Sequence, residues 1–145
     1  MRGFTLLELT IAVAIVALLA GLAVPGYRGL LHRAQRQDAQ LALLRIQYRQ
    51  ERYFSERNRY ATHVAAAADL GGLGLAERSD AGDYGLSITS GPDALGYVAT
   101  ARALPTGRQA ADRDCAALAL DQTGQRLSAD AAGRWRNPDA GHCWG

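Results

Sequence analysis

The sequence predicts an α+β protein in which one long N-terminal helix packs on a four-stranded antiparallel sheet. Two observations support this fold class. An apolar run of about twenty residues, from Phe4 to Val24, leads into a second stretch with helical periodicity that reaches about Phe54. After residue 83 the pattern changes to alternating apolar and polar residues between turn signals, which is typical of antiparallel strands with one covered face.

The N-terminal apolar run is long enough to cross a bilayer as a helix. Its polar side chains are Thr5, Glu8 and Thr10. Thr5 and Glu8 have the spacing of a capping box, in which Thr5 is the N-cap and the Glu8 side chain returns to the Thr5 N–H. A carboxylate at the edge of an apolar segment is costly without a partner, so Glu8 is also a candidate functional residue.

The helix is predicted to continue beyond Pro25. Proline removes one helical hydrogen bond and bends the axis, so we expect a kink near Pro25 rather than an end. Apolar residues then recur at spacings of three and four along one stripe, with Gln37 in the single gap, and this second half of the helix is expected to pack on a head. The stripe consists of Leu30, Ala34, Leu41, Leu44 and Tyr48.

Residues 61–83 contain many alanines and glycines without a clear period, so most of this segment is predicted to be loop. Four strands are predicted to follow it as a meander. Turn residues at Gly91-Pro92-Asp93 and at Thr123-Gly124 separate them. The predicted strands cover residues 84–89, 97–103, 115–121 and 125–128.

Composition argues against several classes of function. The formal charge of +2 is too small to indicate, by itself, a protein that binds nucleic acid or a membrane surface. His32, His63 and His142 are far apart, and neither an H-E-x-x-H nor a G-x-S-x-G motif is present. The glycines at 71–74 lack the strand-to-helix setting of a phosphate loop. The chain is therefore predicted not to be an enzyme, and no cofactor or metal is expected.

The string Gly3-Phe4-Thr5-Leu6-Leu7-Glu8 follows a short basic leader and begins an apolar segment that is broken at Pro25. This combination resembles the N-terminus of type IV pilin precursors. The resemblance implies that prepilin peptidase cuts after Gly3, that Phe4 becomes an N-methylated terminus, and that Glu8 is the carboxylate needed for assembly. A conventional secretory signal peptide and a plain membrane anchor are the alternatives.

The same resemblance implies the type IV pilin fold and a division of the chain into three parts. Residues 1–3 are the leader, residues 4–26 are the transmembrane and assembly half of the helix, and residues 27–145 are the head. The head is expected to be periplasmic while the helix is held in the inner membrane, and extracellular after assembly into a pilus.

The C-terminal part resembles the PilE-like minor pilins, with Asp114-Cys115 before a strand, Leu120-Asp121-Gln122-Thr123-Gly124 at a turn and Cys143-Trp144 at the end. The leader places the cysteines outside the cytoplasm, where disulfides persist, so Cys115 and Cys143 are predicted to be bonded. The closed loop of about 29 residues would contribute about 3–4 kcal/mol. Zinc binding with His142 is the alternative, although paired C-x-x-C spacing is absent.

The predicted function is a structural subunit of a type IV pilus, most specifically a minor pilin. Its expected partners are other pilin subunits, prepilin peptidase and the inner-membrane assembly machinery. A type II secretion pseudopilin shares the same N-terminal features and is one alternative.

A second alternative is a competence minor pilin that binds DNA, since such proteins belong to the same cysteine-bridged subfamily. The charge argues against it, because residues from Glu77 to the end include seven arginines and nine acidic residues. Arginine contacts to phosphate and a stacking tryptophan would carry the binding. The candidate contacts are Arg102, Arg126, Arg134, Trp135 and Arg136.

Overall fold

The structure is a computed structural model, and it describes residues 5–139 and 141–145, without the side chains of 22–26 and 28. The chain divides into two compact units, Met1–His32 and Arg33–Gly145. The helices and strands are α1 (Leu6–Arg57), a 3-10 helix (Ala68–Leu70), β1 (Tyr84–Ser90), β2 (Tyr97–Ala103), a second 3-10 helix (Arg108–Ala111), β3 (Ala117–Asp121), β4 (Arg126–Ala129) and β5 (Trp135–Arg136).

Helix α1 continues through Pro25, which confirms that the helical pattern resumes after the proline. The expected bend near Pro25, whose side chain lies outside the described residues, stays a prediction. Asn58 ends the helix with a left-handed backbone (φ 54°), and its N–H donates to the Phe54 carbonyl at 2.8 Å. A left-handed residue directly after the last turn is a common helix stop.

Within the unit Arg33–Gly145, one row of α1 is covered by the rest of the unit. This covered row consists of Ala39, Leu43, Ile46, Gln50 and Tyr53, none of them more than 5 % exposed. The spacing of four, three, four and three residues keeps the row on one side of the helix.

The predicted apolar stripe is not this covered row, so the expectation that it marks the packing face is wrong. Leu41, Leu44 and Tyr48 are 63 %, 47 % and 68 % exposed. Helical spacing fits both rows, and the covered row contains Ala39, whose small side chain lets the helix lie close to its neighbours. We refer to Leu41, Leu44 and Tyr48 as the exposed stripe.

The sheet has five strands in the order β1-β2-β3-β4-β5, and every neighbouring pair is antiparallel. The prediction of four strands is therefore corrected by the addition of β5. This strand is only Trp135–Arg136, paired with Ser128 and Ala129 of β4. Two residues are too few to show alternation in a sequence, and the surrounding tail is rich in turn residues.

Alternate residues of β1, β2 and β3 form the core together with the covered row of α1. Tyr84, Tyr97, Leu118 and Leu120 are at most 2 % exposed and belong to the same buried cluster as Leu43 and Ile46. The ring of Tyr60, just after the end of α1, lies 4.8 Å from that of Tyr97 and packs against this core.

Polar contacts fix the segments that follow the helix. The buried side chain of Gln50 donates to the Ala61 carbonyl at 2.9 Å and accepts from the Ala61 N–H at 2.8 Å. The guanidinium of Arg36 forms a two-bond ion pair with Asp112, with N–O distances of 2.7 and 3.0 Å. Both residues of this pair are largely covered, so it joins α1 to the end of the second 3-10 helix.

Candidate assembly and nucleic-acid-binding sites

The start of α1 contains half of the predicted capping box. The Glu8 N–H donates to Oγ1 of Thr5 at 3.2 Å, so Thr5 acts as the N-cap. The exposed Glu8 carboxylate makes no hydrogen bond or ion pair with any residue that the structure describes. Gly3 and Phe4, the predicted cleavage and methylation residues, lie outside those residues.

The first part of α1 exposes large apolar side chains on every side. From Leu6 to Leu19 the large apolar residues are between 53 % and 81 % exposed. Among the described residues, which leave out the side chains of 22–26, no helix has the length and apolarity needed to cross a membrane.

The two cysteines are joined by a disulfide with an S–S distance of 2.01 Å. His142 lies beside them, and its ring and the two sulfurs are within 4.8 Å of one another. A cysteine binds zinc through its thiolate, and sulfurs joined in a disulfide are not thiolates. Cys115 and Cys143 thus link the start of the segment entering β3 to the C-terminal tail.

Asp139 organises the C-terminal tail around this disulfide. Its carboxylate accepts from the N–H groups of Cys143 and Trp144 at 3.0 and 3.1 Å and from the Ser128 hydroxyl at 3.0 Å. The Trp144 indole N–H donates to the Leu127 carbonyl at 2.9 Å. The tail is therefore attached to β4 by hydrogen bonds as well as by the disulfide.

The structure brings Arg102 and Trp135 to the same side of the sheet. Arg102 is paired with Ala117, Ala117 with Ala129, and Ala129 with Trp135. Residues directly opposite each other in antiparallel strands point to the same face, so these four share a face. The strand spacing places Arg102 and Trp135 about 14 Å apart, and the intervening Ala117 and Ala129 are fully buried.

The other candidate contacts are not on this face. Arg126 and Arg136 occupy the alternate register positions, opposite Leu120 and Ser128, so they point to the other side of the sheet. Arg126 lies over the Trp144 ring, with Cζ 5.3 Å from the ring centroid. Arg136 donates to the Asp114 carbonyl at 2.9 Å. The five candidates therefore do not form one surface.

Arg134 forms an ion pair and a backbone hydrogen bond with one carboxylate. Its Nε lies 2.7 Å from the Asp130 carboxylate, and its backbone N–H donates to the same group at 3.0 Å. The backbone hydrogen bond from Arg134 is the main reason why the pKa of Asp130 lies below its usual value. Arg102, in contrast, makes no ion pair within the part of the chain that the structure describes.

The comparison with protein families covers most of the chain. Residues 25–119 match the model of the family described as type IV minor pilin ComP, DNA uptake sequence receptor. The chain belongs to this family of type IV minor pilins. Residues 1–24 of this pilin match the prokaryotic N-terminal methylation motif. The predicted family is confirmed.

Individual relatives agree with the family. The type IV major pilin protein PilA of Myxococcus xanthus is 40 % identical over 60 residues, which are 41 % of this pilin and 27 % of the relative. The chain thus spans about a quarter of that relative's length. A type IV pilin structure from Shewanella oneidensis aligns with a TM-score of 0.52 and 23 % identity, covering 79 % of this pilin and 98 % of the other chain. That similarity shows the pilin fold.

Sequence reasoning on this pilin missed the role of Asp139. The residue lies in Asn137-Pro138-Asp139, a sequence that indicates only a turn. Its four-residue and five-residue separation from Cys143 and Trp144 is visible in the sequence, but three donors converge on one carboxylate only after β4 has formed.

Proposed function

We propose that this pilin is a non-catalytic minor subunit that enters a type IV pilus through its N-terminal helix. The observation that carries the proposal is the first part of α1, where large apolar residues from Leu6 to Leu19 are exposed around the helix. Such a surface is unfavourable in water, and burial among lipids or neighbouring helices would contribute about 25 cal/mol for each Å² covered.

Maturation and location follow from the same segment. Prepilin peptidase removes residues 1–3, Phe4 is methylated, residues 4–26 lie in the inner membrane, and the head 27–145 is periplasmic until assembly moves it outside the cell. The match of residues 1–24 to the N-terminal methylation motif supports this course. The inner-membrane assembly machinery and other pilin subunits are the proposed partners.

Glu8 is proposed to set the position of one subunit against the next. Its carboxylate is exposed, and none of the described residues pairs with it. In an apolar environment a carboxylate needs a cationic partner. The methylated amino group of Phe4 on an adjacent subunit would supply that charge.

Mass spectrometry of the chain isolated from membranes and from sheared fibres tests the maturation step. The expected mass lacks Met1, Arg2 and Gly3 and carries one additional methyl group on Phe4. Substitution of Gly3 by Lys removes the small residue at the proposed cut. The variant should therefore keep residues 1–3 and show the mass of the uncut precursor. A chain in the fibre that retains Met1 would contradict the proposal.

DNA binding is a second candidate function. The description of the matching family names a DNA uptake sequence receptor. Arg102 supports it, because this exposed guanidinium shares a face with Trp135, which is 45 % exposed. Their separation of about 14 Å is comparable to the width of the DNA major groove, about 12 Å. Arg102 would contact phosphate, and Trp135 would contact a base or a sugar.

Fluorescence anisotropy with labelled duplex DNA and the full chain in detergent tests this candidate. Replacement of Arg102 by Gln should weaken binding and lower the slope of log affinity against log salt by about one. Replacement of Trp135 by Ala should weaken binding about tenfold. Arg59→Gln is the matched control, because this exposed arginine is not one of the candidate contacts.

Two results would contradict the proposal of DNA binding and would leave the proposal of pilus assembly unaffected. One is the absence of binding by the wild-type chain at low salt. The other is binding that does not change between low and high salt, because phosphate contacts release counterions and are weakened by added salt.

A further inference from the structure

A cleft of about 150 Å³ lies beside the last turns of α1. One side of the helix lines it with five side chains, and the segment after the first 3-10 helix forms the opposite wall around Leu73. The five helical residues are Arg49, Arg52, Tyr53, Glu56 and Arg57. We refer to this feature as the arginine cleft.

The arginine cleft has an excess of positive charge. Three arginines and one glutamate line it, so the formal charge of its lining is two positive units. The Glu56 carboxylate lies between two of them, 3.3 Å from Arg52 Nε and 3.1 Å from a terminal nitrogen of Arg57. Each guanidinium has five N–H donors, so both keep donors for another acceptor. Arg49 makes no ion pair within the described residues.

Contacts on both walls of the arginine cleft position the groups that line it. Arg57 lies over the Tyr53 ring at 4.7 Å, and Tyr53 is itself fixed by a hydrogen bond from its hydroxyl to the Ala68 carbonyl. On the opposite wall, the Leu73 N–H donates to the His63 carbonyl at 3.1 Å. A ligand would therefore meet guanidinium groups that are already partly positioned, which lowers the cost of binding.

We propose that the arginine cleft binds a small phosphate group, either inorganic phosphate or the phosphate of a small ester. A phosphate monoester carries about two negative charges at neutral pH, which matches the charge excess, whereas a carboxylate would compensate only half of it. Guanidinium forks suit the oxygens of phosphate. Ala68 and Leu73 on the opposite wall would border the organic part of an ester. The cleft lies on α1 and is separate from the sheet face that carries Arg102.

NMR of the full chain in detergent micelles tests the proposal through the Nε–H signals of arginine. The signals of Arg49, Arg52 and Arg57 should shift and saturate as inorganic phosphate or glycerol 3-phosphate is added. The signal of Arg113 is an internal control, because this arginine is exposed and lies far from the cleft in sequence. Arg52→Gln should weaken phosphate binding about ten- to a hundredfold, and Arg113→Gln should leave it unchanged.

Comparison of the two titrations shows whether the cleft prefers a phosphate ester or free inorganic phosphate. Tighter binding of glycerol 3-phosphate assigns the cleft to esters, and equal or tighter binding of inorganic phosphate assigns it to the free ion. Equal shifts with sodium chloride at the same ionic strength would overturn the proposal, as would phosphate shifts that persist in the Arg52→Gln chain. The side chain of Arg52 is 64 % exposed, so this substitution should not disturb folding.

Discussion

Single acidic residues fix the C-terminal half of this pilin at points where the chain changes direction. Asp139 accepts three hydrogen bonds in the tail, and Asp83 accepts bonds from the backbone and side chain of Arg108. Both carboxylates belong to buried residues, where an unpaired polar group is costly. The conformation of the local backbone therefore depends on each of these carboxylates.

Replacement of Asp139 by Ala should destabilise the unit by about 2–4 kcal/mol, because the N–H groups of Cys143 and Trp144 and the Ser128 hydroxyl lose their acceptor. Urea denaturation of the full chain in detergent measures the change. Asp93→Ala is the control, since that exposed carboxylate accepts one bond from the Leu95 N–H. Equal losses for the two variants would contradict the role given to Asp139.

The interaction between Asp83 and Arg108 should make the stability of the protein depend on pH. The side-chain hydrogen bond from Arg108 is the main cause that holds the pKa of Asp83 below its ordinary value of 3.8. Its stabilising effect is therefore present above that value and is lost as the pH falls through the folded-state pKa. Arg108→Gln should lower stability at pH 7, and the difference from wild type should narrow towards pH 2. Thermal unfolding at several pH values measures this, and a constant difference would contradict it.

Some residues of the candidate sites were predictable and others were not. The Thr5 and Glu8 spacing and the family strings around Cys115 and Cys143 are local, so the sequence alone indicated them. The placement of Arg102 and Trp135 on one face depends on the register of four strands, which one sequence does not reveal. Trp135 and Arg136 are adjacent candidates in the sequence, but neighbouring residues of a strand point to opposite faces.

At the scale of elements, α1 has two rows with similar spacing and different roles. Leu43 and Ile46 in the covered row are fully buried, whereas Leu44 in the exposed stripe is 47 % exposed. The periodicity predicted the helix correctly because any amphipathic or doubly apolar helix repeats every 3.6 residues. It did not reveal which row meets the sheet, because that choice depends on the fit between side chains of the two elements.

The two rows predict opposite results for adjacent leucines. Leu43→Ala removes a buried side chain from the core and should destabilise the unit by about 2–5 kcal/mol. Leu44→Ala should change stability by less than about 0.5 kcal/mol, because much of its side chain already contacts solvent. Urea denaturation of the two variants under the same conditions compares them directly. A larger loss for Leu44→Ala would reverse the assignment of the rows.

At the scale of the whole molecule, the chain combines a folded unit with a first part of α1 whose apolar side chains have no described partner. The unit Arg33–Gly145 contains the sheet, the disulfide and the core, whereas the apolar residues from Leu6 to Leu19 remain exposed. Family membership makes this division understandable, because a pilus subunit needs both a stable head and a surface for its neighbours. The apolar run in the sequence indicated this exposed surface, but the partners of that surface belong to the assembly and not to the single chain.

The amount of the Glu8→Ala chain in sheared fibres, relative to the amount in whole cells, tests assembly through the N-terminal helix most directly. Glu77→Ala is the matched control, because it removes another exposed glutamate outside the apolar segment. If Glu8 pairs with a neighbouring Phe4 amino group, Glu8→Ala should be cut after Gly3 but should be at least tenfold depleted from the fibre, an effect of about 1.4 kcal/mol or more. Incorporation of Glu8→Ala at the level of wild type and of Glu77→Ala would contradict it.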